Sequence, residues 1–226
     1  MQNSNESLNA ASHGGASISN SVAELEKAEA HGIYHVHAIG PVEHLRARYC
    51  ELRDMLTAGV EDMKSAFTEF MSIPLEPKWE DTAVNVVTTV GKNYALDGYL
   101  QTAVTIVGPY MGLINTNASS AVVGDTMASH AGWLEVGNAN APTYTAPRKT
   151  AAWSAASGGS KALSSALSFA IGSSGTVGGC FLVLGTGAVS TIDNTSGVLY
   201  SAGAFTGGSK TVSNGDTLNV SYTASL

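Results

Sequence analysis

The stretch Thr176-Val177-Gly178-Gly179-Cys180-Phe181-Leu182-Val183-Leu184 decides the fold class of this chain. Its last four residues are apolar without alternation, and a short apolar run bounded by glycine turns reads as a central strand covered on both faces. Outward from it, Val, Ile, Thr and aromatic residues gather in further short runs at residues 103–107, 110–114, 150–156, 166–171, 198–205 and 217–223. Loops rich in Gly, Ser and Asn separate these runs, as expected of strands joined by turns. No helical period recurs between them, which points away from a parallel α/β sheet. The expected body is mainly β, an antiparallel β-sandwich of jelly-roll-like type. Asn214-Gly215 is a strong turn signal and predicts a hairpin ahead of the strand at 217–223.

Upstream of the glycine-rich region, Ile33-Tyr34-His35-Val36-His37-Ala38-Ile39 reads as another strand, stopped by Gly40-Pro41. Residues 82–90 carry Val84, Val86, Val87, Thr88, Thr89 and Val90 and predict a strand closed by Gly91, followed by a short helix at 93–101. Between them lies the longest periodic segment, residues 43–71. There Leu45, Tyr49, Leu52, Leu56, Val60, Met63, Phe67 and Phe70 recur every three or four positions. This is the pattern of a long amphipathic helix with nearly heptad spacing. Gly59 marks a bend within it, at about 1 kcal/mol relative to Ala, and Pro74 and Pro77 forbid its continuation.

Residues 1–20 are mostly Asn, Ser, Ala and Gly, with Leu8 and Ile18 as isolated apolar positions, a composition that cannot bury enough surface to order itself. They are expected to form an extended arm held by another subunit. Ser21 and Glu24 are spaced as a capping box and begin a short helix over 21–30 that ends at Gly32. The expected division is therefore an arm with a short helix (1–32), a strand plus amphipathic helix for docking and oligomerisation (33–81), and a β-sandwich body (82–226). The residues assigned to the interface are Leu8, Ile18, Leu45, Leu52, Leu56, Met63, Phe67 and Phe70.

Charge is scarce. The chain carries 13% charged residues against roughly 25% in average soluble proteins, and a surface so poor in charge is expected to be covered by neighbours. Beyond residue 100 the only charges are Asp125, Glu135, Arg148, Lys149, Lys161, Asp193, Lys210 and Asp216, which cancel, so the net charge of -7 resides in the first hundred residues. Nucleic acid is not an expected partner, because phosphate affinity needs clustered Lys and Arg. The one dense basic group, Arg46, Arg48 and Arg53, is interleaved with Glu43, Glu51 and Asp54. No apolar run approaches the length of a membrane span, and the first twenty residues lack the pattern of a signal peptide. Cys50 and Cys180 are too few and too distant to read as a disulfide framework or zinc site.

Few residues suggest chemistry. His35 and His37, two apart in a strand, share a face as two imidazole ligands of a metal would, with His31, Glu43 and His44 as the nearest further candidates. The pair alone does not make a site, and no metal or cofactor is assigned. Asp125, Ser129 and His130 combine an acid, a hydroxyl and an imidazole, but residues so close on one turn rarely face one another as a triad does. Asp125 is instead expected to cap a turn and Trp133 to anchor it in the core. The glycine runs match neither a phosphate loop nor a dinucleotide fingerprint. No catalytic residue is assigned, and the chain is not expected to be an enzyme.

Three stretches together resemble a family of small structural proteins of tailed bacteriophages. They are Val87-Thr88-Thr89-Val90-Gly91-Lys92-Asn93 with Leu96-Asp97-Gly98-Tyr99-Leu100; Asp125-Thr126-Met127-Ala128-Ser129-His130-Ala131-Gly132-Trp133; and Gly197-Val198-Leu199-Tyr200-Ser201-Ala202-Gly203 through Lys210-Thr211-Val212 to Gly215-Asp216-Thr217-Leu218-Asn219-Val220. The resemblance spans roughly residues 33–226, and the helix at 43–71 is an enlargement relative to it. It implies a virion component without catalytic activity, made in the host cytoplasm. A capsid-associated role, as a decoration, cement or minor head protein, would partner it with the major capsid protein or other virion proteins, and with its own copies, a trimer suiting the near-heptad helix. The competing reading is a head or tail fibre or adaptor module that binds a host surface receptor. Aromatic residues such as Tyr94, Tyr99, Tyr110, Trp133, Tyr144 and Trp153, exposed together on one face, would favour it.

Overall fold

The computed structural model describes residues 31–41, 77–100, 107–115 and 121–225. These residues are mainly β, arranged as two antiparallel sheets with one helix. The arm, the helix at 43–71 and all eight residues assigned to the interface (Leu8, Ile18, Leu45, Leu52, Leu56, Met63, Phe67 and Phe70) lie outside the described residues.

The first sheet is built on β1 (His31–Ile39) and β11 (Thr217–Ser225), which pair from His31↔Ser225 to Ile39↔Thr217. β2 (Trp79–Val84) flanks β1, while β6 (Ser160–Ala162) and β7 (Leu167–Ala170) share the far side of β11. Both long strands alternate, with Tyr34, Val36 and Ala38 buried opposite Tyr222, Val220 and Leu218 and the intervening residues turned outward. That period of two belongs to a sheet with only one covered face.

The second sheet runs β3 (Val86–Val87), β9 (Val198–Ala204), β8 (Gly175–Leu184), β4 (Tyr110–Asn115) and β5 (Lys149–Thr150), with β10 (Lys210–Val212) on the early part of β8. The expectation of a doubly covered central strand holds for β8, buried continuously from Val177 to Val183. Met111, Leu113, Val177, Cys180 and Leu182 share one core with the inner residues of the first sheet. Ile114, Phe181, Val183 and Leu199 face the other way and pack on Met127, Trp133 and Ala188 from the loops. The helix α1 (Thr89–Leu100) packs against β9. Gly91 permits that approach, since a Cβ there would stand 2.5 Å from the Tyr200 carbonyl oxygen.

A buried polar network ties the sheets together. Tyr34 shares a 2.9 Å hydrogen bond with Ser201 of β9, and Asn85 donates to the Tyr222 hydroxyl at 2.8 Å while accepting from the Gly32 N–H. Asn85 stands where the chain passes from β2 to β3, and so from one sheet to the other. The predicted continuous strand over 82–90 is broken here. Thr88 then accepts from the Gly91 N–H at 3.0 Å, an N-cap that starts α1 at Thr89 rather than at residue 93.

Other expectations change for equally local reasons. The run at 150–156 is not a long strand: after β5 the chain turns along β6, where Ser154 N donates to Ala162 O, Ser164 N donates to Ala152 O, and Trp153 bridges to Leu163. Asn214-Gly215 forms a turn, with Asp216 N bonded to Ser213 O and Gly215 at φ 90°. It is not a hairpin, because β10 belongs to the second sheet and β11 to the first. Of the run at 103–107 only Val107 is described, and it lies outside any strand.

The outer strands are closed by loops. Thr206 N donates to Thr82 O on β2, Thr145 N donates to Ala170 O on β7, and Asn115 N and Leu113 O on β4 bond to Leu134 O and Val136 N. The closure at β2 is reinforced by Asp81, which accepts from Thr206 Oγ1 at 2.9 Å, from Gly207 N at 3.1 Å and from Lys210 Nζ at 2.7 Å. Unpaired strand edges invite pairing with other chains, and these contacts remove that route.

Two predictions follow from this packing. Gly32→Ala would drive a methyl group into the buried, hydrogen-bonded phenol of Tyr222 and is expected to cost about 1–3 kcal/mol as overpacking, read as a lower urea midpoint. For Asp81, burial acts to raise the pKa, but hydrogen bonds from Lys210, Thr206 and the N–H groups of Thr82 and Gly207 outweigh it and hold the carboxyl down to about 2. A depressed folded pKa contributes stability that is present above the ordinary aspartate value of 3.8 and lost as pH falls through about 2. Urea unfolding across that window is expected to show a shallower pH dependence in Asp81→Asn than in the wild type.

Candidate functional site

The two sheets differ in what covers their outer faces. That of the second sheet lies beneath the loops bearing Met127, Trp133 and Ala188. That of the first sheet is open among the described residues.

The register lays this face out in cross-strand rows. One row runs Glu80, His37, Asn219 and Ser168 across β2, β1, β11 and β7. His37 Nε2 and Asn219 Nδ2 lie 3.2 Å apart, and Ser168 donates to Asn219 Oδ1 at 2.6 Å. The next row runs Thr82, His35 and Ser221, and a third runs Val84, Ile33, Thr223 and Ala162. His31 shares the face at the end of β1. Across these rows the side chains are short hydroxyls, amides, aliphatics and imidazoles, and Glu80 is the only carboxylate.

His35 and His37 therefore share a face, as their spacing predicts, and no third ligand joins them among the described residues, outside which the candidates Glu43 and His44 lie. Among the described residues no group of three or more His, Cys, Asp or Glu side chains is placed to hold a metal ion.

The Asp125 region forms an anchor. Asp125 Oδ2 accepts from Trp133 Nε1 and from Val122 N, each at 3.0 Å. The His130 ring stacks on the Trp133 indole at 3.8 Å between centroids, its Nδ1 lying 2.9 Å from Trp133 O. The carboxylate is thus spent on the indole and a turn, and the imidazole on the same tryptophan, so Asp125 and His130 are not arranged as part of a triad with Ser129. Trp133 is 1% exposed and packs on Phe181, which is the core-anchoring role expected of it.

Glu135, the other acid of that segment, is committed elsewhere. Arg148 grips it with two hydrogen bonds, Nε to Oε1 at 2.7 Å and Nη2 to Oε2 at 2.6 Å. Arg148 also donates to Val189 O and Asn194 O, and Asp193 N donates to Glu135 Oε2. Burial pushes the Glu135 carboxyl pKa up, against the lowering pull of Arg148 and the Asp193 N–H. The pair pins residues 189–194 to the strand pairing at Ile114↔Glu135. Sequence reasoning missed this pair, although both partners stand among the few charges beyond residue 100.

The described aromatic side chains, among which that of Tyr99 does not stand, do not form a receptor-binding face. Trp133 and Tyr144 are buried, and Tyr94, Tyr110 and Trp153 are half-buried. Most of the exposed large aliphatics lie away from the first sheet in sequence, Leu96 and Leu100 on α1 and Val122, Val123 and Leu134 in the loops.

No protein-family model, curated protein or solved structure matches this chain.

Glu135→Gln would leave the Arg148 guanidinium buried without its countercharge, and breaking a buried pair in this way costs about 3–5 kcal/mol. The double replacement Glu135→Leu with Arg148→Met is expected to cost less than the single change, because no charge is stranded. Guanidinium chloride unfolding of the three proteins measures the difference.

Proposed function

We propose that this chain is a non-enzymatic structural protein of a tailed-bacteriophage virion, associated with the capsid as a decoration, cement or minor head protein. In this reading the two sheets form a jelly-roll-like β-sandwich body. The N-terminal arm and the amphipathic helix at 43–71 dock on the major capsid protein, on other virion proteins or on symmetry mates, with a trimer as the oligomer the helix spacing suits. Neither nucleic acid nor a membrane is a partner.

The observation that carries the reading is where the body stands in the chain. Residues 1–30 join β1 at His31, and residues 42–76 leave beyond Ile39 and return ahead of Trp79 of β2. Both long segments thus attach at the open sheet, at opposite ends of the same strand. Segments that extend from a compact body to a neighbour add interface area without enlarging the body. The scarcity of charge and the resemblance in the turns at 87–100, 125–133 and 197–220 support the same reading. A fibre or adaptor module that binds a host receptor stands second, because the described aromatic residues offer no exposed cluster.

Co-sedimentation with phage shells that lack the protein tests the proposal. The full chain is expected to pellet with the shells, and a variant beginning at Ala30 to remain in the supernatant. Pelleting of the full chain with host cells and not with shells would move the assignment to the fibre reading.

A further inference from the structure

We propose that the open face of the β2–β1–β11 sheet is a contact surface for a second copy of this chain, with the two sheets packed face to face about a two-fold axis. The inference rests on the homo-oligomer part of the proposed function and adds to the contacts of the arm and the helix a separate two-fold contact on the body.

Among the sheet surfaces of the described residues, the open face is the one left uncovered. Strand addition at an edge is opposed by the loops bonded to β2, β4 and β7. The outer face of the second sheet is occupied by the loops that pack on Phe181 and Leu199. The open face remains, and its relief suits a flat contact: Thr82, Ser221, Thr223, Ser168 and Ala162 are short side chains set in register across the strands.

Its charge is self-complementary. The face carries imidazoles at His35 and His37 and a single carboxylate at Glu80, with no Lys or Arg in the rows across β1, β2 and β11. A two-fold operator can set Glu80 of each copy against the imidazoles of the other, so the one acid on the face meets donors rather than another acid. An isologous contact requires this kind of self-complementarity.

The area is sufficient for a reversible pair. Strands spaced about 4.8 Å apart and rising about 3.3 Å per residue give, over β2, β1, β11, β6 and β7, a face of about 500 Å² per copy, or about 1,000 Å² for the pair. That stands at the lower bound of specific interfaces and implies a dimer that forms at higher protein concentration and separates on dilution.

Sedimentation velocity of the full chain from low micromolar to millimolar concentration provides the test, run beside Ser221→Lys, His35→Glu and Ser221→Ala. Ser221 and His35 are exposed cross-strand neighbours at the middle of the face, so circular dichroism and thermal melting should leave all three variants folded. The wild type and Ser221→Ala are expected to dimerise alike. Ser221→Lys and His35→Glu each place a like-charge pair across the axis and are expected to weaken association about tenfold or more. Self-association that survives both charged variants unchanged would overturn the face contact and leave the homo-oligomer reading intact, with its contacts elsewhere. A wild type that stays monomeric throughout would overturn both.

Discussion

The ladder between β1 and β11 is the constraint on which the rest of the described structure depends. It joins residues 31–39 to residues 217–225, so closing it spans nearly the whole sequence and carries a loop-closure cost. What offsets that cost lies directly on the ladder. Tyr34 stacks on Tyr222 with 4.5 Å between ring centroids, Val36 faces Val220, and Ala38 faces Leu218. The two tyrosine hydroxyls then reach Ser201 and Asn85, so the pairing of one sheet fixes its position over the other. Gly32 belongs to the same unit, because only a residue without a Cβ leaves room for the Tyr222 ring at that register.

From this ladder comes the asymmetry of the body. The strands of the first sheet alternate between core and exterior because one side is open, whereas β8 is buried from Val177 to Val183 because the loops bearing Met127, Trp133 and Ala188 close the far side. Each covering element needs its own fastening. The Trp133 loop is fastened by Asp125 on the indole, residues 189–194 by the Glu135–Arg148 pair, and the edge at β2 by Asp81 with Lys210. The few charges of the body are therefore largely engaged in holding loops to sheets. This is the physical reason that a segment with so little charge does not spend it on solvation.

The parts legible in the sequence were those governed by a local pattern. The strands at β1, β4, β7, β8, β9 and β11 follow from period-two alternation or from continuous apolar runs, and Trp133 with Asp125 was readable as an anchor. The parts that were not legible depend on partners distant in sequence. β6 and β10 are three residues each and owe their conformation to the strands beside them. The run at 150–156 has strand propensity, yet it is used to close the edge of β6. Asn214-Gly215 has hairpin chemistry, yet it connects two sheets, because the strand before it pairs with β8 and the strand after it with β1. The His35 and His37 pair was placed on the correct face, while the openness of that face followed only from knowing which sheet the layer of loops covers.

Closed edges and an open face impose a particular mode of association. A sheet that offers its edge donates backbone hydrogen bonds, which are indifferent to side-chain identity and permit unlimited growth. A sheet that offers its face presents side chains in fixed register, so complementarity depends on residue identity and a two-fold contact stops at two copies. Loops bonded to β2, β4, β6 and β7 oppose the first mode, and the rows of small polar side chains on β1, β2 and β11 suit the second. For a body of low charge, which lacks electrostatic repulsion to keep copies apart, closing the edges limits association to contacts that the side chains specify.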